Sequence, residues 1–169
     1  MTAASTWEGR LEAARTGPRA AGIALALEAA GIEDVRVREL AADVLRAFEA
    51  LPEVLSDLPR HPDRAIAVVG RWPHPMLVAA VADLARRGPT SARGPALLAL
   101  ASLDVPGREA LLVDAVREDD AGIRAHAAGA LGLLGTPAAV AALRAAFTAE
   151  TDAMAKVLIV DALERHGGV

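Results

Sequence analysis

The stretch DDAGIRAHAAGALGLLG, residues 119–135, recurs 32 residues downstream as TDAMAKVLIVDALERHG, residues 151–167. Asp120 falls on Asp152, Arg124 on Lys156, Ala130 and Leu131 on Ala162 and Leu163, and Gly135 on Gly167. A fixed period of this length marks stacked supersecondary units, so it outranks local propensity in deciding the fold. Working upstream, EDVRVRELAADVL, residues 33–45, fits the same template: Asp34, Val37, Arg38, Ala41, Ala42 and Leu45 lie on Asp120, Ile123, Arg124, Ala127, Ala128 and Leu131. A weaker copy holds Arg93 and Leu100 in register with Arg124 and Leu131, and an eroded one centres on Arg64.

Each copy reads as a helix hairpin. In the best one Asp120 starts a helix, Ile123, Ala127, Ala130, Leu131 and Leu134 recur at helical spacing, and Gly135 offers a left-handed cap. Thr136 and Pro137 then open a second helix as N-cap and first-turn proline, with Val140, Leu143 and Phe147 as its apolar stripe. The pattern predicts an all-α superhelix, a solenoid of stacked helix hairpins. It comprises about five hairpins, at residues 6–30, 34–58, 62–87, 90–118 and 120–149, and a capping helix at 152–166, all in a single domain 1–169. One such hairpin cannot bury its apolar side alone, so the copies must stack. Leu131, Leu134, Val140, Leu143, Phe147, Leu158 and Leu163 are the expected core.

Composition agrees. Alanine fills 41 of the 169 positions, while Tyr, Cys, Asn and Gln are absent and only Trp7, Phe48, Trp72 and Phe147 are aromatic. That mixture suits closely packed helices. Without cysteine there is no disulfide scaffold, thiol nucleophile or thiolate zinc site. A net charge of -4 argues against nucleic acid, which rewards a basic excess. Glu8 and Glu12 stand where a signal peptide would be basic, and the apolar run at residues 23–27 is too short for a bilayer, so no membrane association and a cytoplasmic location are expected.

The run Asp-x-x-Ile-Arg-x-x-Ala-Ala-x-Ala-Leu-Gly-x-Leu-Gly-x-Pro, ending at Pro137, resembles the short HEAT-like repeat first noted in phycobilisome lyases. Units near 30 residues are shorter than the roughly 40–47 of ordinary HEAT and armadillo repeats. The resemblance implies an interaction scaffold. Minority branches of that family handle tetrapyrroles, alkylated DNA or a di-iron centre. The His-Glu pairs of the di-iron branch do not occur here, and the DNA branch would need a basic excess and an aromatic clamp.

No HExxH, P-loop or GxSxG is present, so no catalytic residue, metal or cofactor is assigned. His61 and His74 would need a third ligand such as Asp63 to hold a metal. His126 aligns with Leu40, Pro95 and Leu158 and therefore reads as a structural histidine against a neighbouring helix; His166 reads as a helix C-cap. Asp34/Arg38, Asp120/Arg124 and Asp152/Lys156 are spaced as ion pairs four residues apart at helix starts.

The third repeat breaks the pattern. LPRHPDRAIAVVGRWPHP, residues 58–75, is rich in proline, and between residues 60 and 93 six arginines face only Asp63 and Asp83, a local net charge of +4. Arg71, Trp72, His74, Arg86 and Arg87 are the candidate partner-binding residues, combining types enriched in interface hot spots with charge suited to an acidic protein surface. The helix at 138–149 offers a second surface, where Ala138, Ala141, Ala142, Ala145 and Ala149 would admit a close neighbour. The expected function is a non-catalytic adaptor that binds another protein through the concave second-helix face and the central Arg/Trp patch. The competing reading is a binder of a tetrapyrrole or other natural product, or a lyase or isomerase, using the concave pocket.

Overall fold

Repeated aspartates set the helix starts. In a computed structural model, which describes residues 3–168, Asp34 accepts from the backbone N–H groups of Arg36 and Val37, Asp120 from Ile123, and Asp152 from Ala155. Each carboxylate satisfies amides that a helix's first turn leaves unpaired. Eleven helices follow, with no strand among the described residues, and make up 74% of them. They are α1 (Ala3–Ala14), α2 (Arg19–Ala30), α3 (Val35–Ala47), α4 (Leu51–Asp57), α5 (Pro62–Val69), α6 (Pro75–Arg87), α7 (Thr90–Leu100), α8 (Arg108–Ala115), α9 (Ala121–Leu134), α10 (Pro137–Ala149) and α11 (Ala153–Glu164). All eleven expected helices are present. α1 starts three residues earlier than expected, at Ala3, and α8 starts at Arg108 after the left-handed Gly107 (φ 74°).

The α9–α10 hairpin follows the sequence closely. Gly135 takes φ 61° and ends α9, and Thr136 then caps α10 by accepting from the Ala139 N–H, with Pro137 as first helical residue. Left-handed backbone at a helix end favours glycine because a Cβ is crowded there. The end of α3 is the exception. Glu49 sits at φ 52°, while the Ala50 N–H donates to Leu45 O and the Glu49 N–H to Arg46 O, a Schellman pair built on glutamate.

The helices group into two compact units that meet within α6, the first ending at Val81 and the second starting at Ala82. In the first, α2 and α3 pack together with α1 and α5 against them, burying Leu11, Ala26, Val37, Ala41, Leu45 and Val68. In the second, α9 lies between α7 and α11, with α8 and α10 on it, around Leu97, Leu112, Ile123, Leu131, Leu143 and Ile159.

Of the expected core, Leu131, Leu143 and Leu163 are fully buried, and Leu134, Val140 and Phe147 are half-buried. Leu158 is a correction: it is 38% exposed, and Ile159 takes the inward place with Ala155, Ala162 and Leu163. Those four lie at i, i+4, i+7 and i+8, the stripe that α11 turns to α9, and Leu158 falls at its border. Gly132 explains the close approach, since a Cβ there would meet Ala162 Cβ at 2.8 Å.

Candidate functional site

The turn between α5 and α6 carries three of the five residues singled out in the sequence. Arg71 reaches back to α3 and grips Asp43 with both ends of its guanidinium, at 3.1 Å and 3.0 Å. Arg46 also lies 3.2 Å from this carboxylate. The hydrogen bonds from Arg71 hold the Asp43 carboxyl below its ordinary value despite burial, and Asp43 in turn raises the Arg71 guanidinium. His74 caps α6, its Nδ1 accepting from the Met76 N–H at 3.3 Å. Trp72 is half-buried and stands edge-on to His74, ring centroids 6.1 Å apart. Met76 beside them is 58% exposed.

Arg86 and Arg87 occupy the last turn of α6 and belong to the second unit, whereas Arg71, Trp72 and His74 belong to the first. Both are exposed and share one carboxylate, Asp83, at 3.6 Å and 3.2 Å. The local excess of charge shrinks accordingly. Arg71 is held by Asp43, Arg64 by Asp57 and Arg93 by Glu118, all three acids lying outside the segment in which the arginines were counted.

The repeated basic residues anchor loops. Asp34, Asp120 and Asp152 work as caps, and their expected partners donate to backbone carbonyls behind them: Arg38 to Ile32, Arg124 to Glu118 and Asp119, Lys156 to Glu150. In the second unit the side-chain pairs form one repeat further on. Arg93 binds Glu118, and Arg124 binds Glu150 through two bonds of 2.7 Å. Glu150 is buried, at 7% exposure, and also accepts from the Thr151 and Asp152 N–H groups. The Arg124 hydrogen bonds, with those amides, pull its carboxyl down to about 2. Sequence reasoning missed both glutamates, although Glu118-x-Asp120 and Glu150-x-Asp152 repeat at the same offset of 32.

Beside this pair a groove of about 440 Å³ lies between the α8–α9 loop and the C-terminal end of α10, lined by Val116, Arg117, Asp119, Arg124, Ala145 and Ala149 among others. Ala138, Ala141, Ala145 and Ala149 are exposed, as expected of the alanine-rich side, but Ala142 is buried. Glu118 and Glu150 reach the groove already engaged with Arg93 and Arg124, while Arg117 and Asp119 line it exposed to solvent.

Of the other histidines, His61 is exposed at the start of α5 without a side-chain cap bond, and His126 and His166 serve packing. His126 is half-buried, its Nδ1 2.8 Å from Gly122 O and its ring against Gly94, where a Cβ would come within 2.6 Å. His166 lies 2.7 Å from Gly132 O through Nε2, so it caps α9 rather than its own helix. Among the described residues no three His, Asp or Glu side chains gather as a metal set, and no helix is long and apolar enough to cross a membrane.

The model of the HEAT-repeat family matches residues 78–164, just over half of the chain, from within α6 to the end of α11. Neither a curated protein nor a solved structure matches.

Proposed function

The chain belongs to the HEAT-repeat family, and from that premise we propose that it is a non-catalytic adaptor that binds another protein through the exposed second-helix face of its second unit. One observation carries this reading. The Arg124 and Glu150 charges are spent on each other and on tying loops, while the groove at the end of α10 offers small alanines beside exposed Arg117 and Asp119. Such a surface binds by fit and does no acid–base work. Arg71 and His74 contribute by holding the α5–α6 turn, so that Trp72 and Met76 present the apolar contact of the first unit. Arg86 and Arg87, sharing one acid, add a basic contact for an acidic partner surface.

A small-molecule ligand is the second reading. The groove volume falls within the ~300–1,000 Å³ of ligand sites, but its lining has no aromatic side chain. Cross-linked capture with three proteins, the parent, Ala145→Arg with Ala149→Arg, and Arg86→Glu with Arg87→Glu, tests the proposal. Proteins held by the parent and lost from the groove variant support it, and loss from the arginine variant with weaker binding at high salt supports the basic contact. Equal capture by all three at unchanged melting temperature would sink it. A parent whose melting temperature rises with a tetrapyrrole and in no protein mixture favours the ligand reading.

A further inference from the structure

Within the second unit, the first helix of one hairpin turns a stripe of small residues to the first helix of the next. On α7 the stripe includes Gly94, where a Cβ would come within 2.6 Å of His126 on α9. On α9 it is Ala121, Ala125, Ala128 and Gly132, with Gly132 so close to α11 that a Cβ would meet Ala162 Cβ at 2.8 Å. The same register on α11 gives Ala153, Val157, Val160 and Glu164, again at i, i+4, i+7 and i+11. Gly94 and Ala125 are buried under the next helix, whereas Val157, at the same place, is 63% exposed. Ala153, Val157 and Val160, with Phe147 of α10 and Lys156, line an apolar hollow of about 400 Å³. The helix that ends a stack ordinarily turns a polar side outward, so two valines here mark a side built to be covered.

The charges of the repeat say what covers it. Arg93 binds Glu118 and Arg124 binds Glu150, in each case the acid two residues before the N-cap of the next first helix. Lys156 is the third base of the series. An acid 26 residues downstream of it, as Glu150 is from Arg124, would stand past Val169. Among the described residues Lys156 has no carboxylate partner: its Nζ lies 3.4 Å from Glu150 O and 4.9 Å from the centre of the Phe147 ring, while Asp152 is turned to the Ala155 N–H. On α10, Arg144 and Thr148 are exposed where α8 holds the buried Leu112 and Val116, so the apolar contact is with α11 and Phe147.

We propose that the hollow along α11 docks an amphipathic helix of a partner protein, laid parallel to α11 as α11 lies on α9, with a carboxylate just before its first turn on Lys156. α11 meets α9 with Ala155, Ile159 and Ala162, and a partner stripe of small or β-branched residues at that spacing is the chemistry the site fits. A second copy of this chain has no such helix to give. Its Glu118 and Glu150 are already taken by Arg93 and Arg124, and α3, which Asp34 caps, is buried along Val37, Ala41 and Leu45. The hollow shares no lining residue with the groove at the end of α10, so this inference stands apart from the proposed partner contact there.

The probe is a labelled peptide copying residues 149–165, which carries Glu150 and the Ala155, Ile159 and Ala162 stripe. Fluorescence anisotropy with the full chain is expected to give a dissociation constant on the order of 50 µM, weak because the peptide must order on binding. Glu150→Gln in the peptide, or Lys156→Glu in the chain, should weaken binding about tenfold, and a Glu150→Lys peptide should regain the lost affinity on the Lys156→Glu chain. Val157→Glu, at a solvent-facing position, should remove binding up to about 1 mM while leaving the parent's circular dichroism. No binding by the parent up to about 1 mM overturns the proposal. Binding that Val157→Glu leaves unchanged also overturns it, since the peptide would then be exchanging with α11 on α9. A chain that ignores the peptide but self-associates in sedimentation, and loses this with Val157→Glu, overturns it in favour of a second copy.

Discussion

Glu150→Gln tests whether the Arg124 pair is the main electrostatic tie of the second unit. The carboxylate takes two bonds from Arg124 and two from backbone amides, at 2.7–2.9 Å, with its side chain 2% exposed. Glutamine has a single oxygen and would turn an N–H group toward the guanidinium, leaving Arg124 without a countercharge. Lowering the carboxyl from 4.5 to about 2 corresponds to about 3 kcal/mol in favour of the folded, ionised form. Removing one member of a buried pair costs a similar ~3–5 kcal/mol. The folded-state value lies below the unfolded one, so this stability is present above about pH 4.5 and is lost as pH falls through about 2. Urea unfolding followed by circular dichroism, at one protein concentration, should show Glu150→Gln about 3 kcal/mol less stable than the parent at pH 7. Most of that gap should be gone by pH 2.5. A gap under about 0.5 kcal/mol at pH 7, or one that stays constant down to pH 2.5, would refute the account of the pair.

Four further substitutions test the helical frame of the two units. Glu49→Gly relieves the left-handed backbone at the end of α3 and should raise stability by about 1 kcal/mol in the same titration. Gly132→Ala should cost about 1–3 kcal/mol, because the new methyl meets Ala162 Cβ at 2.8 Å and Cα at 3.1 Å; Gly9→Ala on α1, with nothing within 4 Å, should instead gain up to about 1 kcal/mol. Leu131→Ala, at a fully buried position of α9, should cost about 2–5 kcal/mol.

The helices were legible because their punctuation is local. Asp120, Gly135, Thr136 and Pro137 act within a few residues of their own backbone, so sequence spacing is enough to read them. Leu158 was misassigned for a related reason. Alignment to His126 identified a position at the border of two helices, and whether such a position is covered depends on what lies against that border. His126 rests on Gly94 of α7, whereas Leu158 faces the rim of the α9–α11 contact and stays partly in solvent.

Charge was harder to read, because a count along the chain assumes that neighbours in sequence screen one another. Here the screening comes from one repeat away: Asp43 for Arg71, Glu118 for Arg93, Glu150 for Arg124. A repeat protein makes this displacement systematic, since residues about 25–32 positions apart lie side by side in adjacent hairpins. The basic segment is therefore largely compensated in space, with Arg86 and Arg87 left to share Asp83. Glu118 and Glu150 hold the same place in adjacent repeats, and each accepts from the arginine of the repeat before it, Arg93 and Arg124, 25 and 26 residues upstream.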